Sequence, residues 1–328
     1  MAGRGLRVAL ALAVAVTLAS CSEEEAKTNA AGKPVSLASY LPADSQMVQA
    51  VDIAAARKEL KLPEDANALP ISDKAFPRPK SPEANLFQVT SRAYPDLSNV
   101  FLSELDGKGG TPLDGSLIRA AAGSEAVSIV STSEPLEDIE RKLELADYTL
   151  KGKYFVAGRE TPEGASHFVV DAGSGRFVFA RSKGDAAQVL RRITNEAKPG
   201  KAAKALERAS GSVRLAYADA PKRSCVTAFA VDQEATGEGA ALALIIDGEK
   251  PEPERFDPKA LKGVATGTPT VLVDALLVPF NVKKPSKDGL DPISQILASS
   301  ETIEVKKPGR EVKPTDSVPA PFNTYDCP

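Results

Sequence analysis

Few of the side chains able to attack a carbonyl, relay a proton or ligate a metal stand in a usable pattern in this 328-residue chain. Its single histidine is His167. Metal sites built on a pair of histidines are thereby excluded, and a Ser-His-Asp triad would have to use His167, yet no Gly-x-Ser-x-Gly elbow occurs. His167 stands beside Phe168 in a strand-like stretch just before a hairpin, where a surface or structural role is expected. The Ser-x-x-Lys pattern of lysine-assisted serine nucleophiles is also missing. Gly107-Lys108 could close a phosphate-binding loop, but Leu102 stands where its first glycine should be, and Gly109 where a Ser or Thr should hold magnesium. Gly237-Glu238-Gly239 reads as a turn. Asp65 and Asn67 have the spacing of calcium ligands without the Gly and closing Glu that such a loop requires. No residue is therefore assigned a catalytic, metal-binding or cofactor role, and no cofactor is expected. Two carboxylates from distant strands could still meet in a cleft without any local signature; the 44 acidic residues mostly fall in polar turns and on helix faces, as solvated charge does.

Sulfur chemistry is more legible. The three cysteines are Cys21, Cys225 and Cys327. Cys21 closes the stretch MAGRGLRVALALAVAVTLASC, in which Arg4 and Arg7 precede an apolar run at residues 8–17 and Leu18-Ala19-Ser20 leads into the thiol. The run is far shorter than the ~20 residues of a membrane-spanning helix and suits a signal peptide. This stretch resembles the lipobox signal peptide of bacterial lipoproteins. The resemblance implies export, diacylation of the Cys21 thiol, cleavage before Cys21 and retention at a membrane by the acyl chains, two or three of which anchor stably. Plain secretion after cleavage at a small-residue site is the rival reading. With Cys21 acylated, Cys225 and Cys327 remain as an even pair in a compartment where disulfides persist, and a bond between them is expected. It would pin a proline-rich tail with little apolar surface of its own.

Composition limits the partners. The chain is 42% hydrophobic and 26% charged, with 5% aromatic residues and no Trp, a globular balance with a core of Val, Leu, Ile and Ala. The formal charge of −3 falls to −5 once Arg4 and Arg7 leave with the leader. No global basic field exists to neutralise phosphates, so nucleic acid is not an expected partner.

The elements that must position any site follow from periodicity. The division expected is a signal peptide at 1–21, a polar tether at 22–36, a first α+β half at 37–200 and a second at 201–328 with a proline-rich tail. In the first half, residues 47–53 read as a strand, 53–60 and 83–94 as helices, and 114–122 as a further short helix ended by Gly123. Residues 126–194 are the clearest unit. A strand at Val127 to Val130 leads into a helix capped by Ser133, with Leu136, Ile139 and Leu143 on one face and Glu137 pairing with Arg141. Strands at 148–156, 166–171 and 176–181 follow, the last two joined by a Gly-Ser-Gly hairpin turn, and then a helix at 183–193. Residues 198–204 read as a polar break. In the second half, strands are expected at 212–219, 225–231, 240–246, 270–278 and 302–305, with a short helix at 292–299. Together these predict an α+β fold: antiparallel sheet with helices packed on one face.

Two phrases support an internal duplication: Ala43 to Asp52 and Ala209 to Asp219 each run from a small polar approach through a strand to an Asp. With Leu41-Pro42-Ala43-Asp44, the layout resembles duplicated exported bacterial proteins of unknown function. That family brings no chemistry with it. The expected function is that of a membrane-anchored extracytoplasmic lipoprotein acting as a binding, interaction or envelope-structural module. A hydrolase with an acid-only or metal site, or a ligand-carrying accessory to a transporter, is the alternative.

Overall fold

Met47–Asp52 (β1) takes the centre of one large antiparallel sheet, because its alternating side chains find apolar neighbours on both flanks. The structure is a computed structural model describing residues 37–69, 81–93, 113–158, 168–195, 198–218, 225–248, 250–261, 263–282, 293, 296, 301–302 and 317–327. After β1 come helix α1 (Ile53–Glu59), helix α2 (Pro82–Ala93), β2 (Ile118–Gly123), β3 (Val127–Thr132), α3 (Leu136–Leu145), β4 (Tyr148–Lys151), β5 (Tyr154–Ala157), β6 (Phe168–Asp171) and β7 (Arg176–Ala180). Then α4 (Lys183–Thr194) and α5 (Lys201–Leu206) lead to β8 (Val213–Ala218), β9 (Val226–Gln233), β10 (Ala241–Ile246), β11 (Val264–Thr266), β12 (Thr270–Val271) and β13 (Ala275–Val282). A separate short pair joins β14 (Glu301–Thr302) to β15 (Ser317–Val318).

The main sheet runs β11-β13-β10-β9-β8-β1-β2-β3-β7-β6-β5-β4, with β12 alongside β13. Strands from 37–200 and from 201–328 thus lie in one sheet, joined where β1 pairs with β8, Val51 opposite Val213 and Val48 opposite Ala216. The fold is α+β.

Both faces of the sheet are covered. Val51, Ala121, Val130, Phe177, Leu215, Phe229, Val231, Leu242 and Val278 share one apolar cluster with Ile53 and Ala56 of α1, Leu86 and Val89 of α2, and Ile139 and Leu143 of α3. Their alternate neighbours Val48, Ala50, Ala122, Ile129, Val178, Ala216 and Ala230 are also buried. On that second face lie the short 3-10 helix Leu37–Tyr40, Ala186 and Val189 of α4, and Ala202, Ala203, Ala205 and Leu206 of α5. The expectation of helices on one face is corrected: α1 to α3 cover one face and α4 and α5 the other, whose alanine-rich surface admits helices at close approach.

Several local expectations are corrected. Residues 118–123 form β2, not a helix: the intrinsic preference of Ala120, Ala121 and Ala122 for helix is a weak prior that pairing with β1 and β3 overrides. Residues 148–157 are two strands, turned by Gly152 at φ 68°, as a two-residue hairpin loop beginning with Gly requires. Residues 270–282 likewise fold back as β12 and β13. The polar break becomes α5, whose alanines are swallowed by β8 and β9. Ser133 does not cap α3; its hydroxyl donates to the Leu117 carbonyl, and Arg141 pairs with Asp138 rather than Glu137, at 2.9 Å. Ser182 does cap α4, accepting the Asp185 N–H. Only Ile293 and Ile296 of the expected helix at 292–299, and only Thr302 of the strand at 302–305, fall within the described residues.

Candidate functional site

Cys225, just ahead of β9, and Cys327, near the C-terminus, are joined by a disulfide with Cα atoms 5.7 Å apart. The tail it pins is better docked than its composition suggests. Ala320, Pro321 and Phe322 are buried, and the Phe322 ring meets Phe229 edge-on at 5.0 Å, while Phe229 stacks on Tyr217 at 5.4 Å. Polar contacts complete the strap: the Tyr325 hydroxyl accepts the Glu252 N–H at 2.9 Å and the Thr324 carbonyl accepts the Asp257 N–H at 2.8 Å. Residues 319–327 therefore close the apolar cluster over β9 and tie the loop at 252–257 to it.

A second constellation sits where the two stretches of the chain meet. Arg214 of β8 lies between Ala50 and Asp232 in register, and Asp52 ends β1 on the same face. Burial pulls the Arg214 guanidinium below its ordinary pKa, against the opposing pull of Asp52 and Asp232. Asp232, 2% exposed, accepts the backbone N–H groups of Ser210 and of Gly211, the latter at 2.9 Å. Asp52 caps α1 by accepting the Ala55 N–H at 2.9 Å. At the other end of α1, Glu59 accepts the Ser212 hydroxyl at 2.6 Å and the Ala235 N–H at 2.7 Å. Helix α1 is thus clasped at both ends by the junction of β1, β8 and β9. Gly211 has to be glycine, since a Cβ there would stand 2.5 Å from the Gln233 carbonyl oxygen.

Two more buried ionic groups do similar work. Arg57, 4% exposed, donates to the carbonyls of Ala66, Gly115 and Ile118 at 2.7–2.9 Å, holding two loops against α1. Glu134 accepts the Asp114 N–H at 2.6 Å and receives the Lys142 ammonium. Asp114 in turn accepts the Ser116 hydroxyl at 2.7 Å, a bond that holds its carboxyl below the ordinary range despite partial burial. The carboxylates of Glu59, Glu134 and Asp232 each accept a backbone N–H group and so staple loops.

Of the residues singled out for chemistry, Cys225 and Cys327 come together, while Cys21, His167, Leu102, Gly107, Lys108 and Gly109 lie outside the described residues. Asn67 accepts the Leu69 N–H at 2.9 Å, as an Asx turn does, and Gly237 and Gly239, both at positive φ, serve the turn between β9 and β10. No cluster of three or more His, Cys, Asp or Glu side chains suited to a metal ion occurs among the described residues. Sequence reading passed over Arg57, Glu59, Glu134, Arg214 and Asp232. Arg214 and Asp232 carried a signal all the same, as single charges inside apolar strands.

No protein-family model and no curated protein sequence matches the chain. Among solved structures it is similar at 11% identity to crystal forms of a protein named TP0453. Form III aligns over 79% of this chain and 97% of that one with a TM-score of 0.38, and form I over 76% and 94% with a TM-score of 0.35. Form IV aligns over 76% and 93%, with a TM-score of 0.37. A likeness at this level carries no argument about function.

Proposed function

We propose that this chain is an exported lipoprotein, anchored by acyl chains on Cys21 at an extracytoplasmic membrane surface, whose globular part works by binding a partner or by building the cell envelope. The observation that carries the reading is the Cys225–Cys327 bond: it joins the two cysteines left when Cys21 is set aside, and such bonds persist where the reducing systems of the cytosol do not reach. The lipobox at Leu18 to Cys21 supplies the anchor. The carboxylates of Glu59, Glu134 and Asp232 support recognition at a surface over acid catalysis in a cleft, because each already holds a backbone donor.

The test is metabolic labelling in a bacterial host with a fatty acid carrying a traceable tag. The natural chain incorporates label and runs as a mature form in the membrane fraction, whereas Cys21→Ser accumulates as an unlabelled precursor. Equal labelling of the two would refute the proposal, and an unlabelled, processed and freely soluble natural chain would establish plain secretion instead.

A further inference from the structure

The hairpin β4–β5 at one end of the sheet presents Lys151-Gly152-Lys153 at its tip. The Lys153 ammonium lies 5.5 Å from the centroid of the Tyr154 ring, and Lys183, the first residue of α4, reaches the same ring at 5.4 Å. The electron-rich ring face holds both cations in place. Tyr154 is buried and is braced edge-on by Phe168 at 6.4 Å, so the platform is fixed. Lys151, Lys153 and Lys183 have no ion pair among the described residues; the acid next to Lys183 in the chain, Asp185, is engaged by the Ser182 hydroxyl at 2.6 Å. A chain of net negative charge thus concentrates three exposed ammonium groups without an ion-pair partner among the described residues.

We infer that this tip is a docking surface for an anionic lipid bilayer, with Lys151, Lys153 and Lys183 meeting headgroup phosphates. Charge complementarity selects an anionic surface over a zwitterionic one. The placement agrees: Tyr154 and α4 lie on the same face of the sheet as Leu37–Tyr40, where the chain arriving from Cys21 enters the fold. The fifteen residues between Cys21 and Leu37 can span at most about 50 Å, enough to let this face meet the membrane that holds the anchor. The inference rests on the lipoprotein reading only in supposing a membrane nearby, and its test uses protein without lipid.

The chain from Ser22 to Pro328, which keeps the whole compact unit Ser36–Pro328, is sedimented with vesicles of phosphatidylcholine alone or mixed with phosphatidylglycerol. Binding is expected to the anionic vesicles only, and to weaken with added salt. Each of Lys151→Gln, Lys153→Gln and Lys183→Gln should lower the apparent affinity about fivefold, and the triple variant about a hundredfold, from roughly 1 kcal/mol per lysine at an anionic surface. Lys58→Gln, exposed on α1 at the opposite face, should leave it unchanged, and unaltered melting of every variant excludes misfolding. Equal binding to both vesicle types, none to the anionic ones, or an equal loss in Lys58→Gln would overturn the inference. Failure of fatty-acid labelling would leave this result standing, and the reverse holds too.

Discussion

Replacing both Cys225 and Cys327 by serine tests how the C-terminal strap is held. The cysteines are 102 residues apart in sequence, and the chain-entropy argument gives about 4.7 kcal/mol for closing a loop of that size in the denatured state, with ~3 kcal/mol nearer to common experience. The folded strap keeps Phe322 against Phe229 and the Tyr325 and Thr324 hydrogen bonds, so the variant should retain the fold and lose stability chiefly through its freer denatured chain. At roughly 2–4 °C per kcal/mol for a domain of this size class, a fall in melting temperature of about 10 °C is expected. The assay is thermal and urea unfolding of the natural chain, oxidised and reduced, beside the serine variant. The reduced natural chain and the variant should coincide, both well below the oxidised form. A serine variant melting within a degree of the oxidised protein would refute the reasoning. So would two thiols open to alkylation in the non-reduced, denatured protein.

Other substitutions probe the staples. Arg57→Met leaves the carbonyls of Ala66, Gly115 and Ile118 without their shared donor and should cost about 3 kcal/mol in urea unfolding. Asp232→Ala strips the Ser210 and Gly211 N–H groups of their acceptor and leaves the Arg214 charge less balanced; a loss of about 3 kcal/mol is expected, with Asp232→Asn recovering part of it. Gly175 has φ 65° and a Cβ there would lie 2.3 Å from the Thr132 carbonyl oxygen, so Gly175→Ala should destabilise by about 1–3 kcal/mol, read as an earlier thermal midpoint. Tyr217 has its phenol pKa raised by burial first and by the Glu125 charge second. The unfolded phenol ionises first, so the stability tied to this group is complete below about pH 10, the unfolded value, and is lost as pH rises from there through the higher folded value. Tyr217→Phe should flatten that alkaline decline in denaturant midpoints measured against pH.

How much could be read without coordinates depended on whether the deciding interaction was local. Helix α3 was legible because Leu136, Ile139 and Leu143 recur along one stripe. In β8, Val213, Leu215 and Tyr217 alternate with Ser212 and Arg214, and because strand side chains alternate whatever the neighbours, its two faces follow from the sequence. Expectation failed where a neighbour decided. Ala120 to Ala122 suit a helix as readily as a strand until β1 and β3 flank them. The lysine-rich turn at Gly152 was absorbed into one long strand because a hairpin loop of two residues leaves almost no compositional mark.

The candidate site divides along the same line. The pairing of Cys225 with Cys327 followed from parity and compartment, which are properties of composition and of the leader at residues 1–21. The sequence by itself thus determined the alternating faces, the most periodic helices and the cysteine pair that closes the tail. Only the tertiary structure decided that the sheet is covered on both faces, that Phe322 docks the tail, and that Asp52, Arg214 and Asp232 share one face at the junction of two strand pairs. A buried charge is defined by its partners, and these partners are brought together by the register of β1 on β8 and β8 on β9. That register is set by the simultaneous fit of all the flanking apolar rows, and so belongs to no single stretch of chain.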